Sequence, residues 1–384
     1  MKKARFFLIV VGLLTYTYYK VNQTVPAHEW LMLLCTVLLF LVMVGWVFLY
    51  HSNPNWVELA WFRSFVWLGS FIMGLWTTFI LLSIPVDVVF LVDYIVQMIF
   101  KLSAYHAETF GLIHQKINYF LLALSICLVG AGLVRALGKP GVKKIAIPLD
   151  NLPQGLNEVS IIQISDLHVG PTIRHCYVDH VVQLANAENP DFIVVTGDLA
   201  DATAESIEKH LEPLSRLKAR HGVYYVTGNH EYYWGIEGWI KKVKQLGFQP
   251  LINENQVIAV NGVNVLIAGV TDHIGGHFHP SHQPDLKKAM QSDEIAQFKI
   301  LLAHRPDVCF EAEQLGVNLQ LSGHTHAGQF FPFNVLLPLA YKYYRRFNQH
   351  GNLRLYVNPG TGYWGPANRF GVPAEITLLT LKGE

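Results

Sequence analysis

Cysteine is scarce, with 4 in 384 residues. Cys35 and Cys127 fall in apolar runs, while Cys176 and Cys309 stand isolated. That spacing excludes the disulfide framework of a small secreted scaffold. Charge is scarce too. Lys, Arg, Asp and Glu make up 15% of the chain, against about 25% in a typical globular domain. There is no block of basic residues, which argues against nucleic-acid binding. Internal repeats and low-complexity tracts are lacking. The basic start (Lys2, Lys3, Arg5) is not followed by a small-residue cleavage site; Tyr16, Tyr18, Tyr19 and Lys20 stand there instead. An uncleaved membrane anchor is therefore expected rather than a signal peptide.

What is abundant is apolar: 51% of the residues. They are concentrated in the first third. Residues 1–144 hold 11 Lys/Arg and 5 Asp/Glu, and the rest hold 18 and 23. A basic, membrane-like part thus precedes a mildly acidic, soluble-like part. Spanning a bilayer takes about 20 apolar residues. Phe6–Tyr19, Trp30–Tyr50, Phe65–Ile84 and Tyr119–Leu137 are the candidate spans. Val86–Phe100 is apolar but carries Asp87 and Asp93. It is expected to pack inside the helical bundle, the alternative being an acid that binds an ion or substrate. The basic residues at the start, and Arg135, Lys139, Lys143 and Lys144 after the last span, favour one cytoplasmic side. Both ends inside requires an even number, so about four spans are expected. A fifth span with an exported domain is the alternative.

Gly138–Gly155 reads as a connector, rich in Gly, Pro and Lys. The transmembrane helical region and connector start are thus placed at 1–144 and the soluble domain at 145–384. Apolar runs suited to strands follow at Val159–Ser165, Phe192–Thr196, Val223–Thr227, Val263–Ala268 and Ile300–Ala303. Leu319–Leu321, Leu353–Val357 and Glu375–Leu381 add three more. Helical patterns, Arg174–Ala187 and Ala204–Ala219, lie between the early runs. This alternation predicts an α/β domain. Asn261–Gly262 between two apolar runs predicts a hairpin, so a mixed sheet.

The chemistry gathers where strands end. Asp166 and His168 follow the first run, Asp198 the second, and Asn229, His230 and Glu231 the third. His304 follows Ile300–Ala303, and His324 and His326 follow Leu319–Leu321. The carboxyl ends of strands are where α/β folds bind ligands. Taken singly, each residue reads as a cap, a turn or a packed histidine. Together they exceed one four-coordinate structural zinc site. Two catalytic cations suit them better.

The series "DLH", "GDL", "GNHE", "AHRPD" and "GHTHAGQ" resembles the calcineurin-like metallophosphoesterases over roughly Val159–Leu381. "GNHEYY" and "NPGTGYWGP" look most like a bacterial integral-membrane branch. The resemblance implies two mixed β-sheets packed as a sandwich with flanking helices. It implies Asp166, His168 and His326 on one metal, Asn229, His304 and His324 on the other, and Asp198 between them. Two divalent cations, Mn²⁺ by expectation with Fe²⁺ or Zn²⁺ as alternatives, would activate a water for hydrolysis of a phosphoester or phosphoanhydride. His230 would protonate the leaving oxygen or stabilise charge, and Asp166 would orient it as well as bind metal. Ala327 stands where the family often has glycine, and alanine is expected to need no positive φ there. Partners would be membrane lipids and a phosphorylated substrate, such as a lipid-linked UDP-diacylglucosamine-like pyrophosphate. No nucleic acid and no obligate protein partner is expected. A bacterial inner membrane, with the catalytic domain facing the cytoplasm, is the expected location. The competing function is a membrane sensor or scaffold that binds a phosphate ligand without turnover. Other roles stay open: an added ligand among His273, His277, His279 and His282, an apolar pocket at Tyr232–Trp234, or a phosphate contact from Arg369.

Overall fold

A computed structural model describes residues 2–24, 29–101 and 104–383. The side chains of the basic start, Lys2, Lys3 and Arg5, lie outside what it describes. Two compact units result: one of Met1–Asn53 and Ala60–Ala131, the other of Pro54–Leu59 and Gly132–Glu384.

The first unit is helical, with α1 (Lys2–Thr24), α2 (Glu29–Ser52), α3 (Ala60–Phe100) and α4 (Ala104–Leu137). Among the described residues, two helical stretches are long and apolar enough to cross a membrane, Ala60–Phe100 and Glu108–Leu137. This corrects the expectation of four spans. Among the described residues the apolar stretch of α2 is Leu31–Val42, and α1 supplies no such span. Val86–Phe100 is not a separate element either. It continues α3 straight through Pro85, a residue that apolar helices tolerate when neighbours satisfy the backbone. Asp87 is paired rather than free. Lys20 Nζ approaches it at 3.0 Å and His114 Nε2 at 2.8 Å, and the Tyr16 hydroxyl donates to it. Lys20 also donates to Asn118 Oδ1 at 2.6 Å. This network answers the cost of a charge among apolar helices.

The second unit is a two-sheet sandwich. One sheet contains β1 (Gly141–Leu149), β2 (Ser160–Ile164), β3 (Phe192–Thr196), β4 (Val223–Val226) and β5 (Gln249–Pro250). The other contains β6 (Glu254–Val260), β7 (Val263–Val270), β8 (Phe298–Ala303), β9 (Leu319–Ser322), β10 (Arg346–His350) and β11 (Leu353–Val357). The last strand, β12 (Glu375–Gly383), returns to the first sheet between β1 and β2. It pairs parallel to β1 and antiparallel to β2, so the sheet is mixed. The predicted hairpin is present, with Val260 opposite Val263. Asn261 and Gly262 both take positive φ, 47° and 82°, as the tight turn requires.

The expected connector is corrected: residues 141–149 form the edge strand β1. Its Lys143 and Lys144 hide the pattern, because an edge strand has one partner and half-exposed faces. The helix expected over Ala204–Ala219 shrinks to Glu208–Leu211 and a 3₁₀ turn, Glu212–Arg216. Pro213 lies in that turn and lacks the N–H a continuing helix needs.

Alternating residues build the core, because successive strand side chains point to opposite faces. Ile161, Phe192, Val194 and Val226 from the first sheet meet Val265, Ile267, Ile300, Leu302 and Leu321 from the second. Each such burial contributes roughly 1.5–3 kcal/mol. The intervening residues Leu266, Ala268, Leu301 and Leu355 cover the outer face of the second sheet against Leu286, Cys309 and Ala312. This packing fixes the sheets face to face. β2, β3 and β4 run parallel, as do β7, β8 and β9. Their carboxyl ends therefore align within each sheet.

Candidate metal centre

Each of these strands ends in a sharp turn that turns a polar side chain inward. Asp166, His168, Asp198, His324 and His326 all have positive φ, between 48° and 70°. Non-glycine residues rarely hold that conformation, and where they do, the site commonly depends on it. Asp166 and Asp198 do not cap helices. The Asp166 carboxylate accepts the backbone N–H of His324 at 3.0 Å, and Asp198 Oδ1 that of His230 at 2.9 Å.

Gly228 explains how the turns pack. A Cβ there would collide with the backbone nitrogen and Oδ1 of Asp198. Only glycine lets the turn after β4 reach the turn after β3. Glu231 then ties the two together, accepting from the N–H groups of Gly228 at 2.7 Å, Leu199 at 2.6 Å and Asp198 at 3.2 Å. Burial, reinforced by neighbouring Asp198, raises the Glu231 carboxyl to about 7.

Three groups of potential ligands result. Asp166, His168 and His326 form one cluster, Asp198, His304 and His324 a second, and His168, Asp201 and His230 a third that shares His168 with the first. His168 Nε2 lies 3.0 Å from His326 Nε2, which lies 3.5 Å from Asp166 Oδ1. His304 Nε2 lies 3.2 Å from Asp198 Oδ2 and 3.1 Å from His324 Nδ1. Partners behind the rings orient them. His304 Nδ1 donates to the Thr196 carbonyl at 2.8 Å, and His168 Nδ1 to Asp201 Oδ1 at 2.9 Å. In both rings that leaves the Nε2 lone pair facing the cluster, the arrangement metal-binding histidines use.

The residues fit a pair of cations. Asn229 Oδ1 is buried and has no hydrogen-bond partner among the described residues, although buried acceptors normally have one. Facing imidazole nitrogens in each cluster also need something between them. Burial works against charge on His304, but Asp198 outweighs it and raises that ring to about 10. Burial and the charge on His304 drive His324 down to about 3. A pocket of acids that forces a proton onto one ring of a pair calls for positive charge.

His230 belongs to the third group, with His168 and Asp201, and lies beside the Asp198 cluster. Its Nδ1 lies 2.5 Å from Asp201 Oδ1 and its Nε2 3.9 Å from Asp198 Oδ2. The first contact is close but off the line of a hydrogen bond. Asp201 was not singled out by sequence. It follows Asp198 by three residues, inside "GDLAD", and that spacing to a second carboxylate was the available signal. The described contacts of Asp166 are with Ser165, His324 and His326 rather than His230.

Other expected roles resolve differently. Ala327 has φ 49°, which corrects the expectation that it needs no positive φ. Arg369 is fully buried and donates to the carbonyls of Pro359, Gly360 and Gly362. It holds the loop before β12 and has no free fork for phosphate. Among the described residues, no metal cluster includes His273, His277, His279 or His282. Tyr232 and Trp234 are core residues, whereas Tyr233 is exposed.

The comparisons agree with this architecture. The family model for calcineurin-like phosphoesterase matches residues 159–328. An uncharacterized metallophosphoesterase of Helicobacter pylori is 35% identical over 297 residues, covering 75% of this chain and 78% of that one. The chain belongs to the calcineurin-like phosphoesterase family. This metallophosphoesterase has relatives in bacteria and animals alike. A Danio rerio protein named "Transmembrane protein with metallophosphoesterase domain" is 32% identical over 375 residues, covering 94% of this chain and 82% of that one. A Bos taurus protein of the same name is 38% identical over 262 residues, covering 65% of this chain but only 59% of that one. With the family and the clustered ligands, the chain is a metal-dependent phosphoesterase with a plausible dinuclear metal-binding site.

Proposed function

We propose that this metallophosphoesterase hydrolyses a phosphoester or phosphoanhydride at a membrane surface. Asp166, His168 and His326 would hold one divalent cation. Asn229, His304 and His324 would hold the other, with Asp198 shared between them. Mn²⁺ suits this oxygen and imidazole set, as do Fe²⁺ and Zn²⁺. The unpartnered, buried Asn229 Oδ1, next to His230 in the chain, carries the reading together with the two ligand clusters, because a buried amide oxygen normally has a partner.

Two such cations, when bound, lower the pKa of an attacking water and offset the charge on phosphate oxygens. The chain's own groups do the rest. His230 Nε2 protonates the departing oxygen. Asp201 stands against the opposite ring nitrogen as a neighbouring charge, and its carboxylate also orients His168. Asp166, besides serving as a ligand, fixes the His324 turn through its backbone. Glu231 fixes the turns that present Asp198 and Asn229.

We place the chemistry in the C-terminal part, expected to begin at residue 145, and membrane association in 1–144. Two candidate spans keep both flanks on one side. Lys139, Lys143 and Lys144 after the second favour the cytoplasmic face of a bacterial inner membrane. That location suits an amphiphilic phosphate, and a lipid-linked UDP-diacylglucosamine-like pyrophosphate is the leading substrate. Screening the full-length protein with Mn²⁺ against a lipid extract, with products identified by mass spectrometry, tests this. Release of a phosphate headgroup supports the lipid reading. Turnover of an aryl phosphodiester with no lipid product would reject it while keeping the hydrolase.

A further inference from the structure

The residue that protonates a leaving oxygen lies close to whatever that oxygen carries. Around His230 that neighbourhood is aromatic. The Tyr233 ring centre lies 5.5 Å from the imidazole at 65°, and the Trp364 ring 5.9 Å away at 80°. Phe278 continues the surface, 6.0 Å from Tyr233 at 63°. These rings are 48%, 53% and 52% exposed in the order Tyr233, Trp364, Phe278. Their neighbours Tyr232 and Trp234, at 2% and 8%, are core. Three large rings left half in water beside one catalytic group make a binding surface rather than scattered exposure.

The backbone that carries Trp364 and Phe278 is held. Gln329 Nε2 donates to the Trp364 carbonyl at 2.9 Å, and the Trp364 N–H donates to Gln329 Oε1 at 2.8 Å. Phe278 belongs to the His-rich loop, which is pinned to Tyr232. The Tyr232 hydroxyl lies 3.0 Å from His282 Nδ1 and 3.2 Å from Thr227 Oγ1. Gly275 passes so close that a Cβ there would meet that hydroxyl at 2.8 Å. His282 thus docks the loop, and its phenylalanine faces Tyr233. Binding to rings already fixed loses little entropy.

We propose that Tyr233, Phe278 and Trp364 form the leaving-group subsite and select a phosphoester whose leaving alcohol carries an apolar body. This rests on His230 as the proton donor. Apolar contact within reach of His230 Nε2 rewards carbon next to the scissile oxygen. An acyl-lipid chain and a flat aryl or nucleobase ring share that chemistry.

The test uses methyl phosphodiesters of ethanol, hexanol and 2-phenylethanol, alcohols of similar acidity and different apolar area, with the Mn²⁺-loaded full-length protein. For the wild type, kcat/KM should rise about tenfold from ethyl to hexyl or 2-phenylethyl, carried by KM. In Trp364→Ala, Tyr233→Ala and Phe278→Ser, the ratio of large to ethyl ester should fall toward one. Metal content of each variant checks that the centre survives. Equal gains for hexyl and 2-phenylethyl identify a lipid-like chain, and a gain for 2-phenylethyl alone identifies a ring. No wild-type preference, or variants that keep the full ratio, would overturn the subsite. His230→Ala separates the two layers. If it destroys turnover while the wild type shows no preference, the subsite fails and the role of His230 stands. If His230→Ala turns over normally, the role of His230 fails on its own.

Discussion

The Asp201 carboxylate stands 2.5 Å from Nδ1 of His230, and the same oxygen lies 2.9 Å from Nδ1 of His168. One partly buried acid therefore stands against a ring placed for proton transfer and a ring placed for a cation. Burial lowers the His230 pKa, but Asp198 and Asp201 outweigh it and raise the ring to about 9. Bound cations would work against the Asp198 share, leaving Asp201 the more important. A proton donor acts below its pKa, so activity should fall as pH rises through it. Asp201→Asn removes one raising charge and should move that alkaline fall to lower pH, with kcat reduced about 10- to 100-fold. A pH–rate profile on both proteins measures it. An unmoved alkaline limb would remove Asp201 from this role.

His230→Ala should keep both cations and lose about 10²–10⁴-fold in kcat. The loss should shrink for a p-nitrophenyl ester, whose leaving group needs little protonation. Metal analysis beside kinetics on good and poor leaving groups decides it. Loss of a stoichiometric metal would make His230 a ligand. A defect independent of leaving group would point to charge stabilisation instead.

Ala327 lies in the left-handed region with φ 49° and ψ 29°. A Cβ there costs about 1–2 kcal/mol, part of which glycine's freer unfolded chain offsets. Ala327→Gly should therefore stabilise the domain by about 0.5–1 kcal/mol, read as a higher denaturant midpoint. A midpoint lowered by a similar amount would show that the methyl group's packing outweighs the strain.

Glu58 accepts contacts from Lys209 Nζ at 2.6 Å, Arg174 Nη2 at 2.8 Å and His210 Nε2 at 2.9 Å. Burial raises its pKa, but Lys209 and Arg174 outweigh that and lower it from 4.5 to about 2. A lowered carboxyl stabilises the fold above its unfolded value and stops doing so as pH falls through the folded one. Glu58→Gln should cost about 0.2–1 kcal/mol at pH 7, and the difference should vanish between about pH 4.5 and 2. Denaturant midpoints across that range check it. A constant difference would mean the charge is not what matters.

The centre was readable in sequence because its residues follow apolar runs directly. Phe192–Thr196 and Leu353–Val357 are strands as expected, and Asp198 sits just past the first of them. β1 was hidden because Lys143 and Lys144 on an edge strand look like a basic connector. Asp201 was hidden because its partners His168 and His230 come from other turns, and only folding brings them together. The conformation of Ala327 was hidden because alanine carries no signature for positive φ. Of the four expected spans, the described residues show two helices long and apolar enough to cross a membrane, Ala60–Phe100 and Glu108–Leu137. Tyr233 was ambiguous between core and pocket because its neighbours share its chemistry, and only exposure separates them.

The central claim is that Asp198 is shared by two cations. The direct measurement is metal content by mass spectrometry, with turnover of an aryl phosphodiester, for wild type and Asp198→Ala reconstituted in Mn²⁺. The wild type should hold two ions per chain, and the variant should lose affinity for both and all measurable turnover. Two retained ions with wild-type turnover in Asp198→Ala would contradict the account.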